Sequence, residues 1–129
     1  WQARAARETT GTFLAVDTSV RSDDHDRDRD VGLVATMPYE GKEAGSAGLF
    51  SMWVAPGARR FGVGRALIAA VLEWARAAGF ARVYLDVGDH NDGAIALYAR
   101  MGFRATGLVG TLDPPRSHIT EHERVHVFA

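Results

Sequence analysis

Val54-Ala55-Pro56-Gly57-Ala58-Arg59-Arg60-Phe61-Gly62-Val63-Gly64-Arg65 joins an apolar run to an amphipathic one. The run before it, Leu49 to Ala55, is nearly all apolar and reads as a central strand covered on both faces. Pro56 stops it, because proline cannot donate to a ladder. After the junction, from about Gly62 to Ala78, Leu67, Val71, Trp74 and Ala78 recur at helical spacing, with Ile68, Leu72 and Ala75 beside them. Gly79 supplies the stop. Glycines and the arginines Arg59, Arg60 and Arg65 crowd the junction. Glycine allows positive φ and a close backbone approach. A helix start leaves N–H groups without partners and carries partial positive charge. The junction therefore reads as an anion site of the kind that holds a pyrophosphate. A P-loop is excluded, since Gly64 is followed by Arg65-Ala66 rather than Lys-Ser/Thr, and a dinucleotide fingerprint is weakened by Leu67 where its third glycine belongs.

Outward from this junction, Trp1 to Glu8 has the composition of a helix end. Thr12 to Asp17 is a strand candidate, and the charged run Ser22 to Asp30 reads as a solvated hairpin tip. In the next strand Val31, Leu33, Ala35 and Met37 share one face. Pro38 to Ser46 is a loop. Arg82 to Val87 alternates as a fourth strand, and Asn91 or Asp92 caps a short helix that Gly102 ends. Ala94, Leu97, Tyr98 and Met101 form one stripe of that helix. Phe103 to Val109 and His122 to Phe128 are strands around a proline-rich loop, Asp113 to Ser117. Strand, helix and strand around the glycine junction predict a crossover between parallel strands. Hairpin-connected antiparallel strands flank it. The expected fold is α+β: a mixed, mostly antiparallel sheet with one parallel pair and helices on its faces.

A chain of 129 residues with 47% hydrophobic and 24% charged content suits a single domain, residues 1–129. The formal net charge of -1 argues against a nucleic-acid partner. No apolar run is long enough to span a bilayer, so no membrane partner is expected. The absence of cysteine removes disulfides and thiol nucleophiles and fits a reducing, cytoplasmic compartment. His118, His122 and His126 recur every fourth residue, but in a strand that spacing does not converge on a metal, and none is expected. The chain begins with Trp1, so an upstream segment is expected.

Two motifs together carry a resemblance. Arg59-x-x-Gly62-x-Gly64 after a strand ending Val-x-Pro resembles the acetyl-coenzyme A signature of the GNAT family of N-acetyltransferases. Asn91-x-x-Ala94-x-x-Leu97-Tyr98-x-x-x-Gly102-Phe103 resembles that family's second motif, in which an Asn and a Tyr lie beside the pantetheine and the thioester sulfur. The resemblance covers about Thr12 to the C-terminus. It implies a sheet splayed between the strand ending at Val54 and the one starting near Arg82, and an acetyl-coenzyme A cosubstrate. The backbone loop with Arg59, Arg60, Phe61, Gly62, Val63, Gly64 and Arg65 would hold the pyrophosphate. Met52, Trp53 and Val54 would line the pantetheine and supply an oxyanion donor, and Asn91 and Tyr98 would complete the site. The acceptor is a primary amine of a small molecule or a peptide, and a homodimer is expected. A non-catalytic acyl-coenzyme A binding module or sensor is the alternative.

The chemistry poses two proton problems. An alkylammonium with a pKa near 10.4 is neutral at pH 7 in about one molecule in a few thousand, a cost of roughly 4–5 kcal/mol. Asp86, Asp89, His90 and Glu40 are candidate bases, beside a water chain. The departing thiolate needs a proton, which Tyr98 could donate at a cost of about 2 kcal/mol.

Overall fold

The computed structural model describes residues 2–5, 11–17, 29–59 and 62–129. Its strands are β1 (Gln2–Ala5), β2 (Gly11–Asp17), β3 (Arg29–Pro38), β4 (Ser46–Val54), β5 (Arg82–Gly88), β6 (Arg104–Thr111) and β7 (Thr120–Val127). Two helices, α1 (Val63–Ala77) and α2 (Asp92–Arg100), and a 3-10 turn at Pro56–Ala58 complete it. The seven strands form one sheet in the order β1-β2-β3-β4-β5-β7-β6. Every neighbouring pair is antiparallel except β4 and β5. The expected mixed sheet with one parallel pair is present.

That parallel pair positions the site. Its register runs only from Ser46 opposite Arg82 to Gly48 opposite Tyr84. Yet β4 continues to Val54 and β5 to Gly88. Among the described residues, the two strands part after Gly48 and Tyr84 and leave a wedge open between them. A register shift between Ala35 and Thr36 on β3 faces the start of this divergence on β4.

Helix α1 lies over β2, β3, β4 and β5. Val63, Leu67, Ile68, Val71 and Ala75 are its buried stripe. Each large aliphatic side chain there contributes about 1.5–3 kcal/mol of hydrophobic stabilisation. At Gly32 of β3 a Cβ would meet Leu67 Cδ1 at 2.9 Å and Val63 Cγ1 at 3.0 Å, so glycine lets the first turn of α1 press onto the sheet. The end of α1 is closed by paired backbone bonds, Gly79 N–H to Arg76 O and Phe80 N–H to Ala75 O, with Gly79 at φ 89° and the Phe80 ring against Trp74.

Two expectations are corrected. Gln2–Ala5 is an edge strand paired with Phe13–Val16, not a helix end, because pairing with β2 overrides a modest helix propensity. Trp1, Ala6 to Glu8, the loop from Ser22 to Asp28, and both Arg60 and Phe61 lie outside the described residues. On β3 the side chains in the core are Val34 and Thr36, with Gly32 between them and α1, whereas Met37 on the opposite face is exposed. Finally, β4 is central but not covered on both faces: Phe50 is 48% and Trp53 49% exposed. Helix α1 shields only one side of the sheet, and β5 has departed by that point.

Candidate active site

The polypeptide leaves β4 at Val54, makes the 3-10 turn and enters α1 through Gly62, which takes the left-handed conformation at φ 77°, ψ 13°. This conformation suits glycine and aims the start of α1 back toward β4. No side chain caps the helix, and its first turn holds no acidic residue. The first intrahelical bond is Ala66 N–H to Gly62 O at 3.1 Å, so the N–H groups of Val63, Gly64 and Arg65 come before it. Arg65 stands in the first turn, where a cation opposes the helix dipole. Helix α2 is the contrast: Asn91 accepts a bond from Ala94 N–H at 3.2 Å and Asp92 adds a favourable charge. One helix start is self-sufficient and the other is not.

Between them lies a cleft of about 970 Å³. Met52, Trp53 and Val54 of β4 form one wall. Arg59, Gly62, Val63, Gly64 and Arg65 form a second, and Asn91 stands at the start of α2. Nine of the sequence-predicted residues are thus brought to one cleft. The two helices meet at Gly64, where a Cβ would lie 3.2 Å from Leu97 Cδ2 and 3.6 Å from Met52 Cε. Gly93, Ala94, Leu97, Arg100 and Met101 also line the cleft and were not among the sequence-predicted site residues. The stripe containing Ala94, Leu97 and Met101 was legible, but as packing. Arg100, three residues after Leu97, shares that side of the helix.

The charge of this lining is one-sided. Among the described residues it holds Arg59, Arg65 and Arg100 and no aspartate or glutamate. Among the described residues none of the three guanidinium groups is in an ion pair; Arg59 Nε donates to Val54 O at 3.3 Å and Arg100 Nε to Ala96 O at 3.3 Å.

Tyr98 is set apart from the lining. It is 6% exposed, its ring lies edge-on to Phe103, and its hydroxyl points at Met52 Sδ 4.0 Å away. It therefore stands directly behind a residue that faces the cleft. Burial pushes the Tyr98 phenol above its ordinary pKa, so it holds its proton more tightly than a free tyrosine.

The opposite face of the sheet is acidic where β4 and β5 part. Asp86 of β5 stands directly across from Glu123 of β7, and Gly88 across from Glu121. Carboxylates directly opposite one another repel. Glu123 is buried; it is held by Lys42 Nζ at 2.6 Å and by the Thr106 hydroxyl, which donates to it at 2.9 Å. Lys42 also lies 4.8 Å from the centre of the Tyr84 ring. Asp86 is exposed as a residue, yet its carboxyl is pushed up, first by partial desolvation and then by the charge of Glu123. Glu121 is pushed up by burial and by Asp86. The other candidate bases, Asp89, Glu40 and His90, are exposed as well, and His90 turns its ring over Gly88. No described helix is long and apolar enough to cross a membrane.

Comparison with known proteins agrees with this geometry. The human protein N-acetyltransferase 8 is 38% identical over 79 residues, which are 60% of this chain and 35% of that protein. The chain thus spans about a third of that relative's length. The structure of Arabidopsis thaliana NAA60 in complex with a bisubstrate analogue superposes with a TM-score of 0.79 at 26% identity, covering 94% of this chain and 77% of that one. A GCN5-related N-acetyltransferase from Kribbella flavida gives a TM-score of 0.75 at 27% identity, covering 97% of this chain and 71% of that one. The model of the acetyltransferase (GNAT) family matches residues 5–103, and with its strand, glycine loop and helix in the arrangement just described, the chain belongs to that family.

Proposed function

We infer that this chain is an N-acetyltransferase domain that moves an acetyl group from acetyl-coenzyme A to a primary amine of a small molecule or a peptide. One observation carries the reading. The wedge between β4 and β5 opens beside an uncapped helix start, in a cleft lined by three arginines and no carboxylate. Such a cleft suits a long polyanion whose other end must reach the wedge. The relatives' names and the bisubstrate analogue held by the Arabidopsis protein support the same activity.

In this reading the amides of Val63, Gly64 and Arg65, with Arg59, bind the diphosphate. The β4 edge at Met52, Trp53 and Val54 runs along the pantetheine, and one of its N–H groups polarises the thioester carbonyl. Arg60 and Phe61 belong to the same loop by sequence, and Asn91 closes the cleft from α2. The amine approaches from the carboxylate face. Its nitrogen bonds to the acetyl carbon as the carbon–sulfur bond breaks. Asp86 takes the amine proton and Tyr98 supplies one to the thiolate. Tyr98's raised pKa makes that donation costlier than the roughly 2 kcal/mol of an ordinary tyrosine. The homodimer, the cytoplasmic setting and the extent of the domain over residues 1–129 belong to this proposal too.

Two measurements test it. Acetyl-coenzyme A at about 100 times its dissociation constant should add about 2.7 kcal/mol of stability, several degrees in a melting assay. No shift at millimolar concentration would remove the cosubstrate assignment. Free thiol should then appear with some member of a panel of polyamines, aminoglycosides, amino acids and peptide N-termini. Binding without thiol release across the panel would favour a non-catalytic acyl-coenzyme A module.

A further inference from the structure

Arg100 does not fit the role given to the other two arginines of the cleft. Arg59 and Arg65 flank the uncapped start of α1, where the diphosphate would sit. Arg100 comes from the last turn of α2, on the far wall. Gly64 meets α2 at Leu97. Arg100 lies one turn beyond that contact on the same side of the helix, about 4.5 Å further along its axis.

The protein gives this guanidinium little to do. Among the described residues its one hydrogen bond runs from Nε to the Ala96 carbonyl of its own helix. Three and four residues earlier on α2 stand Leu97 and Ala96, so no carboxylate shares its face, and Arg104 follows four residues later. The end of a helix favours a cation, which accounts for a positive charge there. It does not account for an exposed arginine that lines the cleft and has no partner for its Nη groups among the described residues.

Coenzyme A carries two separate anionic groups. The diphosphate is one; the other is a phosphate on the 3′ position of the same ribose, one sugar away. A bidentate, planar donor is suited to a terminal phosphate. We propose that Arg100 binds the ribose 3′-phosphate and so makes the cleft select coenzyme A thioesters over their 3′-dephospho forms. The assignment rests on the cosubstrate reading above and adds a second anion subsite to it, on α2 rather than on the glycine loop.

The test compares acetyl-coenzyme A with acetyl-3′-dephospho-coenzyme A by titration calorimetry, on wild type, Arg100→Gln and Arg100→Lys. Wild type should prefer the 3′-phosphorylated thioester at least tenfold in dilute salt, and the preference should shrink as salt rises. Arg100→Gln should lose about tenfold in affinity for acetyl-coenzyme A, keep its affinity for the dephospho form, and bring the ratio near one. Arg100→Lys should recover part of the preference. If wild type and Arg100→Gln both bind and show the same ratio, Arg100 is not the 3′-phosphate ligand, while the cosubstrate reading stands. If wild type binds neither thioester, the cosubstrate reading fails and this assignment falls with it.

Discussion

Gly64→Asp should move stability and binding in opposite directions. Gly64 is the second residue of α1 and lies among its free N–H groups. It is helical without positive φ, so a side chain adds no backbone strain. The closest group to a new Cβ would be the Leu97 Cδ2 methyl at 3.2 Å, the end of a flexible side chain that can yield slightly. Replacing an interior glycine gains about 0.3 kcal/mol of helix propensity. A carboxylate in the first turn gains about another 0.3–1 kcal/mol from the dipole. The free protein should therefore hold its stability or gain up to about 1 kcal/mol, near 4 °C in melting temperature. For a bound diphosphate the same carboxylate is a repulsive neighbour. A like-charge pair at 4 Å and an effective dielectric constant near 20 costs about 4 kcal/mol, so a tenfold loss of affinity, about 1.4 kcal/mol, is a floor. At the concentration that raises wild-type stability by about 2.7 kcal/mol, the variant should gain no more than about 1.4 kcal/mol. Differential scanning fluorimetry with and without acetyl-coenzyme A reads both numbers. A folded variant with wild-type affinity would refute the argument, because the diphosphate would then lie elsewhere. A loss of binding accompanied by a lower melting temperature of the free protein would count against it as well, since damage to α1 would explain the result.

Other outcomes are equally concrete. Tyr98→Phe should cost less than about 1 kcal/mol of stability, because the hydroxyl's one partner is a sulfur at 4.0 Å, but should lower turnover about a hundredfold with little change in cosubstrate affinity; unchanged turnover would remove the proton-donor role. Asp86 resists ionisation in the fold, so the native state holds its proton to higher pH than the unfolded chain, and stability falls as pH rises from its ordinary value of 3.8 through the raised native one. Asp86→Asn should therefore be more stable than wild type at neutral pH, lose that advantage below the ordinary value, and lose the acid limb of the rate profile; an unaltered limb would exclude Asp86 as the base. Leu67→Ala empties a site with no solvent exposure and should cost about 2–5 kcal/mol in urea titration; a cost under 1 kcal/mol would mean that the packing of α1 on Gly32 is misjudged.

What could be read in the sequence was punctuation and periodicity. Pro56 ends β4, Gly62 opens α1, Gly79 closes it and Asn91 caps α2, each acting within a few residues of itself. The α1 stripe was visible for the same reason, though Ala78 is exposed and Val63, not counted in the stripe, is buried. Errors arose where a distant partner decides. Gln2–Ala5 has helical composition but a strand to pair with. The apolar β4 looked doubly covered because nothing in its own residues announces that β5 leaves after Tyr84. Lys42 and Glu123 carry no local sign that they meet across the sheet. Arg100 escaped notice because it sits between Tyr98 and Gly102, in a motif read for its other letters.

The parting of β4 and β5 gains its meaning from what lies on either side of it. On the helix face, three arginines and an uncapped helix start gather positive charge with no carboxylate to neutralise it. On the other face, Asp86, Glu121 and Glu123 stand in neighbouring positions of two paired strands, and among the described residues Lys42 is the one cation in an ion pair with any of them. Each arrangement alone is unfavourable to the folded protein: a cation at a helix start, carboxylates across a ladder. Reactants of opposite charge would relieve both. A polyanionic thioester on one face and an ammonium on the other would meet only where the sheet is open, and repulsion from the wrong face would discourage either from entering backwards. Asp86, one of the carboxylates that would attract the ammonium, resists ionisation, so in the proposed reaction the group that draws the amine in would also be better able to take its proton. In the proposed reaction, attraction and deprotonation would thus come from one feature, Asp86 standing opposite the buried Glu123 at the point where β5 leaves β4.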